Sequence, residues 1–115
     1  MNTIIKNIAA ISDAIRYIAI YKNNHLTTWQ RENISDASSS DSDKYEELLV
    51  NPTILTIATQ RGNIDCGGLD FVVIKYGHFF QLIRTIKGGH ISICIKTEAD
   101  PLMLEKEISK KIVDL

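Results

Sequence analysis

Cysteine and proline are scarce in this chain, with only two of each among 115 residues. Cys66 and Cys94 are too few and too far apart for a disulfide framework or a cysteine-rich zinc site, which favours a reducing, cytoplasmic location. Charge of one sign is also lacking, because 13 Lys and Arg residues balance 14 Asp and Glu residues. The composition therefore gives no indication of a nucleic acid partner or of an anionic membrane surface.

Long apolar runs are absent as well. The most apolar stretch near the N-terminus, residues 4–20, is interrupted by Lys6, Asp13 and Arg16. A membrane-spanning helix needs about 20 consecutive apolar residues, and a signal peptide needs an uncharged apolar centre. We therefore expect neither secretion nor membrane insertion. Apolar residues nevertheless make up 44% of the chain, enough for one core, and the length predicts a single domain over residues 1–115.

The first elements follow from a change in hydrophobic period. Apolar residues recur first at helical spacing and predict an amphipathic helix: they are Ile4, Ile8, Ile11 and Ile15. Residues 17–21 are then β-branched and aromatic, and Asn23-Asn24 suits a two-residue turn. The sequence therefore predicts a β-hairpin whose second strand lies within residues 26–30.

An acidic segment follows the hairpin. Residues 32–47 carry six acids and one base, and residues 35–43 are only Ser, Asp and Ala. Such a run gains little burial to offset its ordering entropy, so we expect a mobile acidic loop at about residues 32–43. A cation site there lacks both a glycine turn and a bidentate Glu at calcium-loop spacing, which favours a solvated loop.

A helical pattern returns from Asp43, and Asn51-Pro52 predicts a break in which Asn51 caps a further helix. The apolar side of the first part is formed by Tyr45, Leu48 and Leu49. The second part has one stripe, extended by Leu55, that consists of Ile54, Ile57, Ala58 and Arg61. Gly62 predicts the end of this helix.

Three apolar strands are predicted over residues 69–76, 79–86 and 90–97. The dipeptides Gly77-His78 and Gly88-Gly89 separate them, and both suit two-residue turns. With period-two alternation, one face of this meander is almost wholly apolar and the other is half apolar. We therefore expect both faces to be covered.

Asp100-Pro101 predicts the start of a last helix, as its cap and first residue. The predicted order is helix, two strands, helix, three strands and helix. It indicates an α/β domain of the α+β class, in which helices cover both faces of a five-stranded antiparallel sheet.

This succession of elements resembles the Roadblock, or dynein light chain, family, which has a profilin-like α/β layer. The resemblance covers nearly the whole chain. It is carried by the hairpin from Tyr17 to Asn24, by the meander from Leu69 to Lys96 with its Gly88-Gly89-His90 turn, and by the closing helix begun at Ala99-Asp100-Pro101-Leu102. Family members often have Asp-Gly in the first turn and a shorter link before the second helix, so Asn23-Asn24 and the acidic insert depart from the pattern.

The resemblance implies a non-enzymatic module that forms homo- or heterodimers through its second helix and third strand. It also implies action as a scaffold or regulator of Ras-like small GTPases or related NTPases, or as an adaptor for motors. Transferred to this sequence, the implied dimer surface comprises Ile54, Ile57, Ala58, Arg61, Val72 and Ile74.

Motifs for chemistry are missing from the sequence. It has no Walker lysine motif, dinucleotide fingerprint or His-Glu zinc pair, and Gly67-Gly68 precedes a strand where a phosphate loop would open a helix. Three histidines, His25, His78 and His90, fall at or beside turns that do not converge, so we expect surface histidines without a metal. We expect neither catalysis nor a cofactor.

Two other classes of function stay open. The first is a thiol-dependent enzyme that would use Cys66. Cys66 lies near Arg61 and accessible glycines, as a reactive thiol would, but the adjacent Asp65 opposes thiolate formation and favours an inert residue. Cys94 is expected to be a small packed residue. The other class is a small-molecule sensor, because profilin-like and PAS-like sheets hold ligands between sheet and helix. The filling of the sheet by Ile and Phe gives little indication of a cavity.

Overall fold

The computed structural model describes residues 2–32 and 39–115. Its elements in chain order are α1 (Asn2–Ala9), β1 (Ile15–Lys22), β2 (His25–Gln30), α2 (Ser40–Tyr45), a π-helical segment (Glu46–Val50), α3 (Asn51–Asp65), β3 (Val72–Lys75), β4 (Phe80–Ile86), β5 (Gly89–Ile95) and α4 (Pro101–Lys111). The strands form one five-stranded antiparallel sheet in the order β2-β1-β5-β4-β3. The predicted fold class is confirmed.

The first helix is shorter than the isoleucine spacing predicts. It ends at Ala9, and Ile15 belongs to β1. The Arg31 guanidinium donates to the carbonyl oxygens of Ala9 (2.9 Å), Ser12 (3.1 Å) and Ile15 (2.8 Å), and so holds the chain in a turn between helix and strand. A bulge between Ile15 and Tyr17 then changes the alternation, so that Ile15 joins the core beside Ile18.

The main core lies between the sheet and the pair α1 and α4. It consists of isoleucines and one leucine that are at most 9% exposed: Ile5, Ile8, Ile15, Ile18, Ile20, Leu82, Ile86, Ile91, Ile93, Ile95, Ile108 and Ile112. The start of α4 is as predicted, because the Asp100 carboxylate caps it by accepting from the Leu102 amide at 2.9 Å.

The meander confirms one predicted turn and corrects the other. Lys75 pairs with Phe80, as a two-residue Gly77-His78 turn requires. The second turn is not Gly88-Gly89, because Ile86 pairs with Gly89 and the turn residues are therefore Lys87 and Gly88. This moves the register by two residues, which leaves every side chain on its predicted face.

The second helical unit comprises α2, the π-helical segment and α3, over residues 40–65. It is continuous where the sequence predicts a break. The backbone around Asn51 is helical, with φ −64° and ψ −45°, so Asn51 is no cap. The Asn51 amide instead donates to the Glu46 carbonyl, five residues back, as in a π-helix. Pro52 lacks the amide that would continue the regular pattern, and the Thr53 hydroxyl donates to the Leu49 carbonyl at 2.6 Å.

The two ends of this unit also differ from the prediction. Residues 33–38 of the expected acidic loop lie outside the described residues. Ser40 to Asp43 form the first turn of α2, because the Ser39 hydroxyl caps the Ser42 amide and acidic residues suit a helix N-terminus. At the other end, α3 passes Gly62 and ends at Asp65. Gly62 is needed for contact, since a Cβ there would lie 3.0 Å from the Gly68 carbonyl carbon.

Candidate functional site

A buried polar network joins the π-helical segment to the sheet. The Glu47 carboxylate, which is 0% exposed, accepts hydrogen bonds from the Tyr17 hydroxyl (3.1 Å), the Asn51 side-chain amide (3.0 Å) and Nε2 of His90 (2.8 Å). Tyr17 and His90 come from the adjacent strands β1 and β5, and Asn51 lies one helical turn after Glu47. One carboxylate therefore connects three elements.

The network continues along the sheet through neutral groups. Ser92 Oγ accepts from Nδ2 of Asn51 at 3.3 Å and also from Nε2 of Gln81. The thiol of Cys94 donates to Oε1 of Gln81 at 3.3 Å. Oδ1 of Asn51 is buried and has no hydrogen-bond donor among the described residues. Cys94 is thus a packed residue, as the sequence predicts.

Burial decides the protonation of the two weak acids beside Glu47. It raises the pKa of the Tyr17 hydroxyl far above its ordinary value, and the Glu47 charge raises it further. The pKa of the Cys94 thiol is raised by the same two causes in the same order. Both groups stay protonated at neutral pH, so they serve as hydrogen-bond donors and not as nucleophiles.

A cavity of about 320 Å³ lies at one side of this network, between the start of the helical unit and the sheet. The helical side contributes Asp43, Glu46 and Glu47, and the sheet side contributes Tyr17 and the turn region around Tyr76 and Phe79. The filling of the sheet by Ile and Phe gives little indication of this cavity, which the structure nevertheless contains. The reason is that polar residues occupy this face of the sheet, and the short α2 covers it incompletely.

The acids of the cavity repel one another. The pKa of Glu46 is raised by burial first, and then by the charges of Glu47 and Asp43. The pKa of Asp43 is likewise raised by burial and by Glu47. Oε1 of Glu46 is buried without a hydrogen-bond donor among the described residues. This side of the cavity therefore favours positive charge.

A second cavity, of about 370 Å³, lies on the other side of the network. Tyr21 and His90 form its sheet wall, and Leu55, Thr56 and Thr59 form its helix wall. His90 thus stands between Glu47 and this cavity, with its ring centroid 5.8 Å from that of Tyr21. The wall carries hydroxyls and apolar groups, and its only described ionisable groups are Tyr21 and His90.

The outer surface of the helical unit is unusually apolar. Ile57 is 63% exposed and Ile64 is 76% exposed. Three further large apolar side chains along the same unit are at least half exposed: Tyr45, Leu48 and Leu49. A helical stripe that faces solvent normally carries polar residues, so this surface is a candidate for protein contact.

The six residues of the expected dimer surface fall into two groups. Ile54, Ala58 and Arg61 lie on the flank of α3 that is opposite Thr56 and Thr59, and Ile57 is further out towards solvent. Val72 and Ile74 lie half-buried on β3, which is an edge strand.

The remaining candidates for chemistry do not converge in the described residues. Cys66 is exposed, and its thiol donates to the Asp65 carboxylate at 3.4 Å. Arg61 pairs with the same carboxylate at 2.7 Å and lowers its pKa.

His25 and His78 are exposed as expected, but the expectation of a surface residue is wrong for His90, which is 3% exposed. Its partner, Glu47, lies 43 residues away, and no spacing pattern indicated the pair.

Among residues 2–32 and 39–115, no three His, Cys, Asp or Glu side chains are placed to hold one metal ion. None of the described helices has the length and apolar content that crossing a bilayer requires. Comparison with known proteins adds no identity, because no protein-family model matches this sequence and no curated protein matches it.

Proposed function

We propose that this chain is a non-enzymatic, cytoplasmic interaction module that works as a homodimer and regulates or scaffolds a Ras-like small GTPase or a related NTPase. The dimer is supported by one observation, the exposed apolar surface of the α2–α3 unit near an open sheet edge. The partner class is supported by the resemblance of the element order to the Roadblock family.

The exposed surface supports association on energetic grounds. Burial of apolar area contributes about 25 cal/mol per Å². Large side chains such as Ile57 and Ile64 are exposed in the monomer, so they would contribute this free energy only when a partner covers them. Exposed apolar residues that are scattered singly need no explanation, but several along one helical unit indicate an interaction site.

The open edge of the sheet at β3 supports a dimer interface at the same place. The described residues contain no strand that pairs with the outer side of β3, so its backbone groups are open to a further strand. The loop before β3 packs against Gly62 of α3, which places the end of that helix beside the entry to this edge. Two copies related by a two-fold axis would join their β3 strands antiparallel and bring both α3 helices to the same seam.

The test compares two apolar-to-acid substitutions on opposite parts of the molecule. Ile57→Asp places a charge in the proposed seam, and Val113→Asp places one at a residue beyond α4 that is 80% exposed. Light scattering should give a monomer mass for Ile57→Asp and a dimer mass for Val113→Asp, because a buried charge without a partner opposes association. A dimer that persists in Ile57→Asp would contradict the seam.

The proposed interaction with a GTPase is tested separately. A partner captured with the tagged chain, identified by mass spectrometry and purified, is titrated in its GDP state and in its GTP-analogue state. A regulator has to bind one state more tightly, and a tenfold difference corresponds to about 1.4 kcal/mol. Equal affinity for both states would leave a scaffold, and a partner that binds no nucleotide would contradict the proposed class.

A second candidate function is ligand sensing, as in PAS-like domains. The observation that favours it is the pair of cavities between helix and sheet, of about 320 and 370 Å³. Ligand sites in proteins occupy about 300–1,000 Å³, so both cavities have the size that a small molecule requires.

A further inference from the structure

The cavity beside Glu47 combines two kinds of wall. One is aromatic, because the rings of Tyr76 and Phe79 meet there with centroids 5.5 Å apart and planes tilted by 58°. The other is the acidic side of the helical unit, which presents Asp43 and Glu46. Aromatic faces and carboxylates both attract cations, and together they are typical of sites that bind ammonium groups.

The basic side chains nearby are already engaged elsewhere. His90 pairs with Glu47 on the far side of the network. Arg16 donates to the His78 carbonyl at 3.2 Å and lies over Phe79, with Cζ 5.4 Å from the ring centroid. Neither group supplies a hydrogen-bond donor to Oε1 of Glu46, which stays buried and without one among the described residues. What the cavity offers a ligand is the negative charge of Asp43 and Glu46 on one side and the aromatic rings of Tyr76 and Phe79 on the other.

The size and chemistry of the walls indicate an organic cation instead of a metal ion. The described His, Cys, Asp and Glu side chains include no group of three placed around one metal ion. A volume of about 320 Å³ also exceeds what a bare ion fills, and much of the wall is aromatic. A ligand with a small hydrocarbon part would bury apolar surface against Tyr76 and Phe79 while its nitrogen meets the carboxylates.

We infer that this cavity binds a small organic amine in its ammonium form, with the nitrogen at Asp43 and Glu46 and the hydrocarbon part against Tyr76 and Phe79. The inference deepens the second candidate function and rests on it. It is independent of the dimer, whose proposed seam uses other residues.

The experiment titrates the full-length chain with two amines and their uncharged counterparts of similar shape. The pairs are benzylamine with benzyl alcohol, and n-butylamine with 1-butanol, followed by calorimetry and by amide chemical shifts in NMR spectra. Glu46→Gln removes the charge but keeps the side-chain shape, and Asp43→Asn serves as the second variant if Glu46→Gln does not fold. Glu98→Gln, at an exposed acid before α4, is the matched control.

We expect saturable binding of at least one amine, with shifts at the amides of the cavity residues. The matching alcohol should bind at least about tenfold more weakly, and Glu46→Gln should lose about tenfold in affinity while Glu98→Gln keeps it. Equal affinity for amine and alcohol, an unchanged affinity in the folded cavity variant, or no saturable binding of either amine would overturn the inference. Light scattering of the same samples reports the dimer separately, so failure of one proposal is distinguishable from failure of the other.

Discussion

The Glu47 carboxylate and the His90 imidazole meet at 2.8 Å in the interior, where the first is 0% and the second 3% exposed. They connect the π-helical segment to the central strand β5. Tyr17 and Asn51 donate to the same carboxylate, which therefore accepts hydrogen bonds from three different elements. This arrangement holds the helical unit on the polar face of the sheet, and one cavity lies on each side of the hydrogen-bond network.

Removal of one partner of this pair should be costly. Glu47→Ala leaves three buried donors without an acceptor, and we expect it to lower the free energy of unfolding by about 3–5 kcal/mol. Glu98→Ala, at an exposed acid, should change it by less than about 0.5 kcal/mol. Urea unfolding followed by far-UV circular dichroism measures both.

A paired substitution separates the charge from the packing. Glu47→Leu combined with His90→Leu removes both members and leaves apolar side chains in their place. Since His90 no longer lacks an acceptor, the double variant should recover part of the stability that Glu47→Ala loses, while the Tyr17 hydroxyl and the Asn51 amide still lack the Glu47 carboxylate. A double variant that is as unstable as the single one would show that the pair itself stabilises the fold.

Two glycines in hairpins differ in what a side chain would meet. A Cβ on Gly89 would lie 1.7 Å from the Tyr21 carbonyl oxygen of the neighbouring strand, whereas a Cβ on Gly77 meets nothing within 4 Å. We expect Gly89→Ala to cost more than about 3 kcal/mol or to prevent folding, since neither backbone can yield cheaply. Gly77→Ala should leave the stability nearly unchanged. Thermal unfolding of the two variants and of the unaltered chain measures both effects.

The acids of the first cavity give a prediction for pH. Because burial and the charges of Glu47 and Asp43 raise the pKa of Glu46 above its ordinary value of 4.5, its ionisation opposes folding. A raised acid pKa stabilises the fold at low pH, and that contribution is lost as pH rises through the raised value. Glu46→Gln should therefore gain stability relative to the unaltered chain as pH rises from 4.5 to neutral.

The expected result is a difference in unfolding free energy that grows with pH and then levels. Measurement of both proteins across the same buffers cancels the contributions of other titrating groups. A difference that is constant with pH would contradict the like-charge account of the cavity.

Much of the fold was predictable because its local signals are strong. The Asn23-Asn24 and Gly77-His78 turns fix strand registers, and alternation then assigns each side chain to a face. The error at Lys87-Gly88 did no harm to that assignment because it moved the register by an even number of residues. Helix spacing misled at Ile15, where a strand with a bulge places the side chain in the same core.

The buried site was not predictable in the same way. Glu47 lies in an acidic segment that indicates solvent exposure, and His90 follows a glycine turn that also indicates it. Their contact depends on where the helical unit crosses the sheet, which is set by packing over long sequence separations. The break expected at Asn51-Pro52 hid the same feature, because the π-helical segment keeps Asn51 inside the helix and directs it to Ser92.

The central claim, a homodimer formed through α3 and β3, is tested most directly by sedimentation equilibrium of the unaltered chain at micromolar concentrations. The account predicts a mass of twice 12.9 kDa that falls towards the monomer mass only on dilution. A mass of 12.9 kDa throughout the micromolar range would contradict it.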